Sequence, residues 1–317
     1  MKTQTFFSIL TAIVLALLLV SGAGAYWLAT NRTTLEVAVA SNPVASVFIA
    51  RQSPWVMSLL VNPDRLTTLQ LQDTPPQKRR QVQRKWQKLQ QSLFASSQLD
   101  YNQDIRPWLG DELTFAVTTA DLDRDEQNGQ QPGYLLIATV KDAEQAQQSL
   151  QNFWQKRTRS GEALVLEQYA GVPLGYTTKK SRGKPGKQGT PVDRPLTLTS
   201  PAIATVSDQF VLFANHPKIL RDAINNLQVP ELSLSTSETY QAALEQLNSP
   251  HIGVLFVQLP QLTSWLQETG QPALMSDLAS ATPSAPTATP TFESLVMGFN
   301  VGDRGLVGDG LLGDMVL

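Results

Sequence analysis

Cysteine is missing from all 317 residues. Its absence removes disulfides, a thiolate nucleophile, cysteine-ligated zinc and a lipid-modified N-terminal cysteine together. Imidazole is nearly as scarce. His216 and His251 are the two histidines, and neither has metal-ligand spacing to the other or to nearby carboxylates. Charged residues make up only 16% of the chain, with a net charge of −2. No global field therefore draws nucleic acid or an acidic substrate towards it. No G-x-S-x-G elbow occurs, and the glycines do not follow phosphate-loop spacing. Nothing in the chain asks for a cofactor.

What is present begins at the N-terminus. From Phe6 to Leu28 there is no charged side chain, and the run is rich in Leu, Val, Ile, Ala and Phe. A membrane-spanning helix needs about 20 predominantly apolar residues, and this run is long enough. Ala23-Gly24-Ala25 also has the small-x-small form of a signal-peptide cleavage site. Retention as an anchor is the preferred reading, because Tyr26-Trp27 continues the apolar run and suits the interfacial belt. Either way, the bulk of the chain is sent across a bilayer, to a periplasmic or lumenal side.

After a tether over residues 31–43, Val44–Ala50 and Trp55–Val61 read as strands. Asn62-Pro63 then offers an N-cap residue and a first-turn proline for a short helix. Gln77–Ser97 reads as a longer helix, with Val82, Trp86, Leu89 and Leu93 on one arc. Lys78, Arg79, Arg80, Arg84, Lys85 and Lys88 spread over the rest of its circumference. They form a solvated face or meet anionic lipid headgroups, where each cation contributes on the order of 1 kcal/mol.

Leu113–Thr119 and Gly133–Val140 pair as antiparallel strands around the loop Asp121–Pro132. In that loop Asp121, Asp123 and Asp125 alternate as in a calcium-binding loop, but Glu126 stands at the glycine position and Pro132 at the bidentate glutamate. Asp142 is expected to cap the helix Ala143–Arg159, whose buried stripe is Ala143, Ala146, Leu150, Phe153 and Trp154. Two further hairpins follow, Leu164–Tyr169 with Val172–Thr177 and Ala202–Val206 with Gln209–Ala214. Between them residues 178–195 are basic, rich in Gly and Pro and nearly free of apolar residues, which predicts a disordered surface loop.

His216, between Asn215 and Pro217, reads as a helix cap. Ser235 and Glu238 fit a capping box for a helix to Leu247, and His251–Leu259 is a strand. Residues 279–291, rich in Ala, Ser, Thr and Pro, form a flexible link. Residues 292–317 follow as a terminal hairpin of the same sheet that stops on apolar residues. That ending suggests an exposed sheet edge, a partner strand or a missing continuation.

Asp100, Asp104, Asp111 and Glu112 form the densest carboxylate group outside the hairpin loop. They would do acid–base work only if two converged and one pKa rose. Otherwise Asp104 and Asp111 frame the turn around Trp108, itself a core anchor.

The fold class that emerges is α+β. A transmembrane helix over residues 1–30 precedes antiparallel sheet built from hairpins over 44–278, with the helices packed on one face. The segments RQSPWVMSLLVNPDRL, LDYNQDIRPWLGDELTFAVTTADLDRD and NGQQPGYLLIATVKDAEQA, behind such an anchor, resemble the cyanobacterial members of the family catalogued as domain of unknown function 3352. The resemblance covers most of Val44–Leu317. It implies an anchored protein on the outer side of a plasma membrane or in a thylakoid, with no catalytic residues to carry over. The expected role is a non-catalytic binding or assembly factor for an envelope or thylakoid component, with no nucleic-acid partner. A carboxylate-dependent hydrolase and a small-ligand or lipid binder are the alternatives.

Overall fold

Apolar runs cut by Pro, Gly, Asn and Asp corners give ten strands among the described residues. The computed structural model describes residues 42–65, 84, 101–122, 131–178, 202–247, 251–262, 291–302 and 305–316. The strands are β1 (Trp55–Leu59), β2 (Leu109–Thr119), β3 (Gly133–Val140), β4 (Ala163–Tyr169), β5 (Val172–Thr178), β6 (Ala202–Val206), β7 (Phe210–Ala214), β8 (Gly253–Gln258), β9 (Thr291–Gly302) and β10 (Gly305–Val316). They form one antiparallel sheet in the order β10-β9-β8-β1-β2-β3-β7-β6-β5-β4. Helices α1 (Ala143–Arg159), α2 (Pro217–Gln228) and α3 (Glu238–Glu245) complete the α+β architecture.

Local chemistry sets the corners. The β4–β5 turn places Ala170 and Gly171 at φ 48° and 83°, and the β6–β7 turn places Ser207 and Asp208 at φ 51° and 55°. Two consecutive residues of positive φ match the right-handed twist of a tight hairpin. At the start of α1, Asp142 Oδ1 accepts from the Gln145 amide at 3.0 Å. Glu144 lies in the first turn and Lys156, Arg157 and Arg159 in the last, so both ends suit the macrodipole. His216 caps α2 as expected, its Nδ1 accepting from the Lys218 amide at 3.1 Å.

Helices cover both faces of the sheet, not one. Leu135 and Ile137 of β3 pack with Ile219, Leu220, Ala223 and Ile224 of α2 and with Tyr240 of α3. Their neighbours Leu136 and Ala138 pack with Ala146 and Phe153 of α1, on the opposite side. The sequence carries the signal for this in β3 and β8, GYLLIATV and GVLFVQ, which are apolar runs without alternation and therefore suit strands buried on both sides.

Three local expectations also change. Val44–Phe48 forms a 3₁₀ helix instead of a strand. Helix α3 takes Ser237 at its N-cap without a side-chain bond, while Ser235 bonds the Ser233 hydroxyl at 2.7 Å, so the capping box is not made. Ala143 is exposed at the solvent end of α1, leaving Ala146 and Phe153 as its buried apolar residues.

Phe6–Leu28, the basic residues Lys78, Arg79, Arg80, Lys85 and Lys88, and Asp100, Asp123 and Asp125 lie outside the described residues. So do the 178–195 loop beyond Thr178 and the 279–291 link up to Thr291. Among the described residues no helix is long and apolar enough to cross a membrane.

Candidate functional site

The turn that precedes β2 builds the most elaborate polar structure among the described residues. Tyr101–Ile105 makes one wide turn, closed by the Arg106 amide donating to the Tyr101 carbonyl five residues back at 2.7 Å. Such π-type turns recur at functional positions because they rotate the following side chains out of helical register. Trp108 lands fully buried. Its indole N–H donates to the Asp104 carbonyl, and its ring stacks on Phe213 at 6.4 Å.

Just beyond, β2 carries a bulge. Leu109 pairs with Val140 and Leu113 with Ala138, so extra residues between them bow out of the ladder. Gly110 is required there, since a Cβ would sit 2.6 Å from the Thr139 hydroxyl. The Asn62 side-chain amide clamps the bulge by donating to the Leu109 and Gly110 carbonyls at 3.1 and 2.8 Å. Bulges re-aim side chains, and this one turns Glu112 inward. Its Oε2 accepts from the Val44 amide at 2.8 Å, and its Oε1 from the Ala45 amide and the Thr114 hydroxyl, both at 2.9 Å. Thr114 Oγ1 also lies 2.8 Å from Ser58 Oγ. Burial pushes the Glu112 carboxyl above its ordinary value, and these three donors work against that rise. Tyr240, hydrogen-bonded to Ser46, has its hydroxyl pKa raised by burial and then by the neighbouring Glu112 charge.

The other carboxylates go elsewhere. Asp104 pairs with Lys156 of α1 at 3.2 Å. Asp111 faces Arg65 at 3.8 Å with both side chains largely exposed. Asp64 takes Arg106 Nε at 2.7 Å. The convergence that the alternative, acid–base reading needs is not made by Asp104 and Glu112: Asp104 belongs to the α1 side of the sheet and Glu112 to the α2 side. A cleft of about 260 Å³ between the wide turn and α1 is lined by Gln103, Asp104, Asn152, Gln155, Lys156 and Arg159. Its lining is polar, and the carboxylate in it is matched to a cation instead of being left reactive.

Asp121 is spent on its own loop. Its Oδ1 accepts from the Gln131 amide at 3.2 Å, and its carbonyl accepts from the Thr119 hydroxyl at 2.9 Å. Arg84 is exposed on a helical residue. Among the described residues no group of three or more His, Asp or Glu could hold a metal ion. His216, spent as a cap, has its pKa lowered by burial and then by Arg221 and Lys218.

Sequence reasoning missed the partner of Glu112. Its contact with Val44 spans 68 positions, and neither end has a local pattern. It also missed Asn215, whose side chain accepts from the Tyr134 amide at 2.9 Å and donates to the Pro132 carbonyl at 2.7 Å. An asparagine at a strand-to-helix corner was the available signal.

A two-faced antiparallel sheet with structural carboxylates defines an α+β protein without an assembled reactive centre among its described residues. Residues 10–313 match the model of the family described as protein of unknown function DUF3352, and the chain belongs to that family. No curated protein matches it. Three crystal forms of TP0453 are similar in outline. Form I has 8% identity and a TM-score of 0.36, covering 88% of this chain and 82% of that one. Forms III and IV have 6% identity and TM-scores of 0.33 and 0.32, each covering 82% of this chain and 75% and 76% of the other. Likeness at that level carries no argument about function.

Proposed function

We propose that the protein is a membrane-anchored, extracytoplasmic binding or assembly factor that works by contact instead of by bond-making. The carrying observation is the uncharged apolar run Phe6–Leu28, long enough to span a bilayer. Two structural facts support the contact role. Glu112, Asp104 and Asp121 are each engaged by donors or cations that hold the fold together. Asp104 and Glu112 also lie on opposite faces of the sheet, so these two do not face a common substrate position. The partner in this reading is another component of the envelope or, in a cyanobacterial cell, of the thylakoid.

Fractionation with protease protection tests the location. The full chain should resist alkaline carbonate extraction from membranes, and residues 44–317 should be cut only by protease on the periplasmic or lumenal side. Recovery of the intact chain in the soluble cytoplasmic fraction overturns the reading. Affinity purification from mildly solubilised membranes then separates an assembly partner from a co-purifying small molecule.

A further inference from the structure

Leu166 is 73% exposed, more than any other large apolar side chain among the described residues. Val44, Leu227, Val229 and Leu232 are exposed too, but none of them is on a strand. Leu166 is the middle residue of β4, and β4 ends the sheet with no described strand on its outer side. The hairpin fixes which backbone groups face outwards. Tyr169 pairs with Val172 across the two-residue turn Ala170-Gly171, so these two exchange both backbone hydrogen bonds. Alternation then turns the N–H and C=O groups of Ala163, Val165, Glu167 and Tyr169 towards β5, and those of Leu164, Leu166 and Gln168 away from the sheet.

Side chains alternate as well. Glu167 accepts from Arg221 and the Tyr169 hydroxyl donates to Asn225 at 3.0 Å, both on α2. Leu166 therefore points to the α1 face, beside the Trp154 ring: a Cβ on Gly175, its pairing partner, would lie 3.2 Å from Leu166 Cδ2 and 3.1 Å from Trp154 Cζ2. Sheet edges are ordinarily protected by lysine, proline, a bulge or an unpaired charge. Strand β4 has neither lysine nor proline, and its register with β5 runs unbroken from end to end. Its one charge, Glu167, is held by Arg221 through both carboxylate oxygens, at 2.8 and 2.6 Å.

We propose that β4 pairs with β4 of a second copy of this chain, antiparallel about a two-fold axis through Leu166. The order of residues in the strand supports this occupant. Centred on Leu166, the whole strand pairs: Leu166 meets Leu166, Leu164 meets Gln168, Val165 meets Glu167 and Ala163 meets Tyr169 of the second copy. No like charges face each other, and a small side chain meets a large one at each end. A register shift of two residues in either direction leaves part of each strand unpaired, and in one direction sets Glu167 against Glu167. The sheet's other end, β10, has 12 residues against 7 in β4. A β4-to-β10 contact would cover only part of β10 and would repeat without closing, whereas self-pairing closes at two copies. One strand per copy is a small interface, so the dimer is reversible. Self-pairing needs no bilayer and goes beyond the anchored reading, since the partner is the chain itself.

The absence of cysteine lets single thiols report the register in the full-length chain, purified in dodecyl maltoside. In the paired form the two Leu166 Cα atoms lie about 5.5 Å apart, within disulfide reach, whereas the two Leu164 Cα atoms lie about 14 Å apart. Under mild oxidation Leu166→Cys should form a linked dimer by itself. Leu164→Cys and Gln168→Cys should link only when mixed, and Gln148→Cys, exposed on α1, should not link. In sedimentation the wild-type mass should rise from one chain to two between roughly 1 and 100 µM. Leu166→Lys, which sets two ammonium groups at the axis, should weaken the dimer about ten-fold or more and leave the unfolding midpoint of the single chain unchanged. A single-chain mass at about 100 µM with no link at Leu166→Cys overturns the proposal. So does a dimer that Leu166→Lys leaves intact, which is held elsewhere on the chain. A mass that climbs past two copies without a link at Leu166→Cys marks β4 on β10, and it too overturns the proposal. The anchored reading survives each of these outcomes, because fractionation tests it separately.

Discussion

Glu112 and Asp104 are equally buried, each 7% exposed, and lie on opposite sides of one sheet, yet they are satisfied in opposite ways. Asp104, on the α1 side, meets the Lys156 ammonium at 3.2 Å, and that lysine keeps 59% of its side chain in water. Glu112, under the 3₁₀ helix Val44–Phe48, meets two backbone amides and a hydroxyl. Position decides the difference. At a rim a long cation reaches in while its charged end stays hydrated. Beneath a covering turn there is no such route, and the orphan amides of a helix start are the donors at hand. A carboxylate buried without a countercharge is usually read as a functional acid. Here it serves as a strut.

The largest expected effect tests the shared foundation of the two sides. Trp108→Ala should cost about 3–5 kcal/mol in chemical denaturation, the range for deleting a fully buried aromatic. A smaller loss would mean that the turn preceding β2 does not organise the sheet.

Next comes the neutral-donor side. Glu112→Ala leaves the Val44 and Ala45 amides without their acceptor and should cost about 2–3 kcal/mol, with Glu112→Gln costing less because one acceptor oxygen survives. Equal losses for the two variants would place the effect in packing instead of hydrogen bonding. The same pair sharpens the electrostatics. Burial raises the Glu112 pKa, so the folded state holds the proton more tightly than the unfolded one. That contribution is complete below the ordinary value of 4.5 and is lost as pH rises through the folded-state value. Relative to Glu112→Gln, wild-type stability should therefore decline on going from acid to neutral pH. A flat difference across that window would show that the three donors cancel the burial.

Smaller effects belong to the cation side. Asp142→Ala removes the α1 cap and should cost about 1 kcal/mol. Lys156→Met, which takes a half-exposed ammonium away from the buried Asp104 carboxylate, should cost about 1 kcal/mol. If Lys156→Met rivalled Glu112→Ala, the contrast between rim and interior would fail.

Local chemistry explains what could be read in advance. The β4–β5 and β6–β7 hairpins, the Asp142 cap and the His216 cap each depend on residues within four positions of one another, and each is visible in the chain. Val44–Phe48 shows the limit. VASVF has strand composition, but its first two amides are claimed by a carboxylate 67 and 68 positions away, and a 3₁₀ turn presents both to it. Placement of helices on both faces was legible in principle, because strands buried on two sides lose their alternation. For the site, Asp104 and Glu112 stood out as carboxylates. Their separation did not, since a bulge and a wide turn between them send the two side chains to different faces.

Strand β1 sits between β2 and β8, and that position has a consequence for how the chain is made. Its partner on one flank is Gly253–Gln258, translated long after β2 has emerged. At roughly 5–20 residues per second, a nascent chain holds Trp55–Leu59 with one ladder open for on the order of ten seconds before the sheet can close. An open ladder is a template for pairing with any passing strand, so the half-built sheet is open to mispairing until its last third arrives.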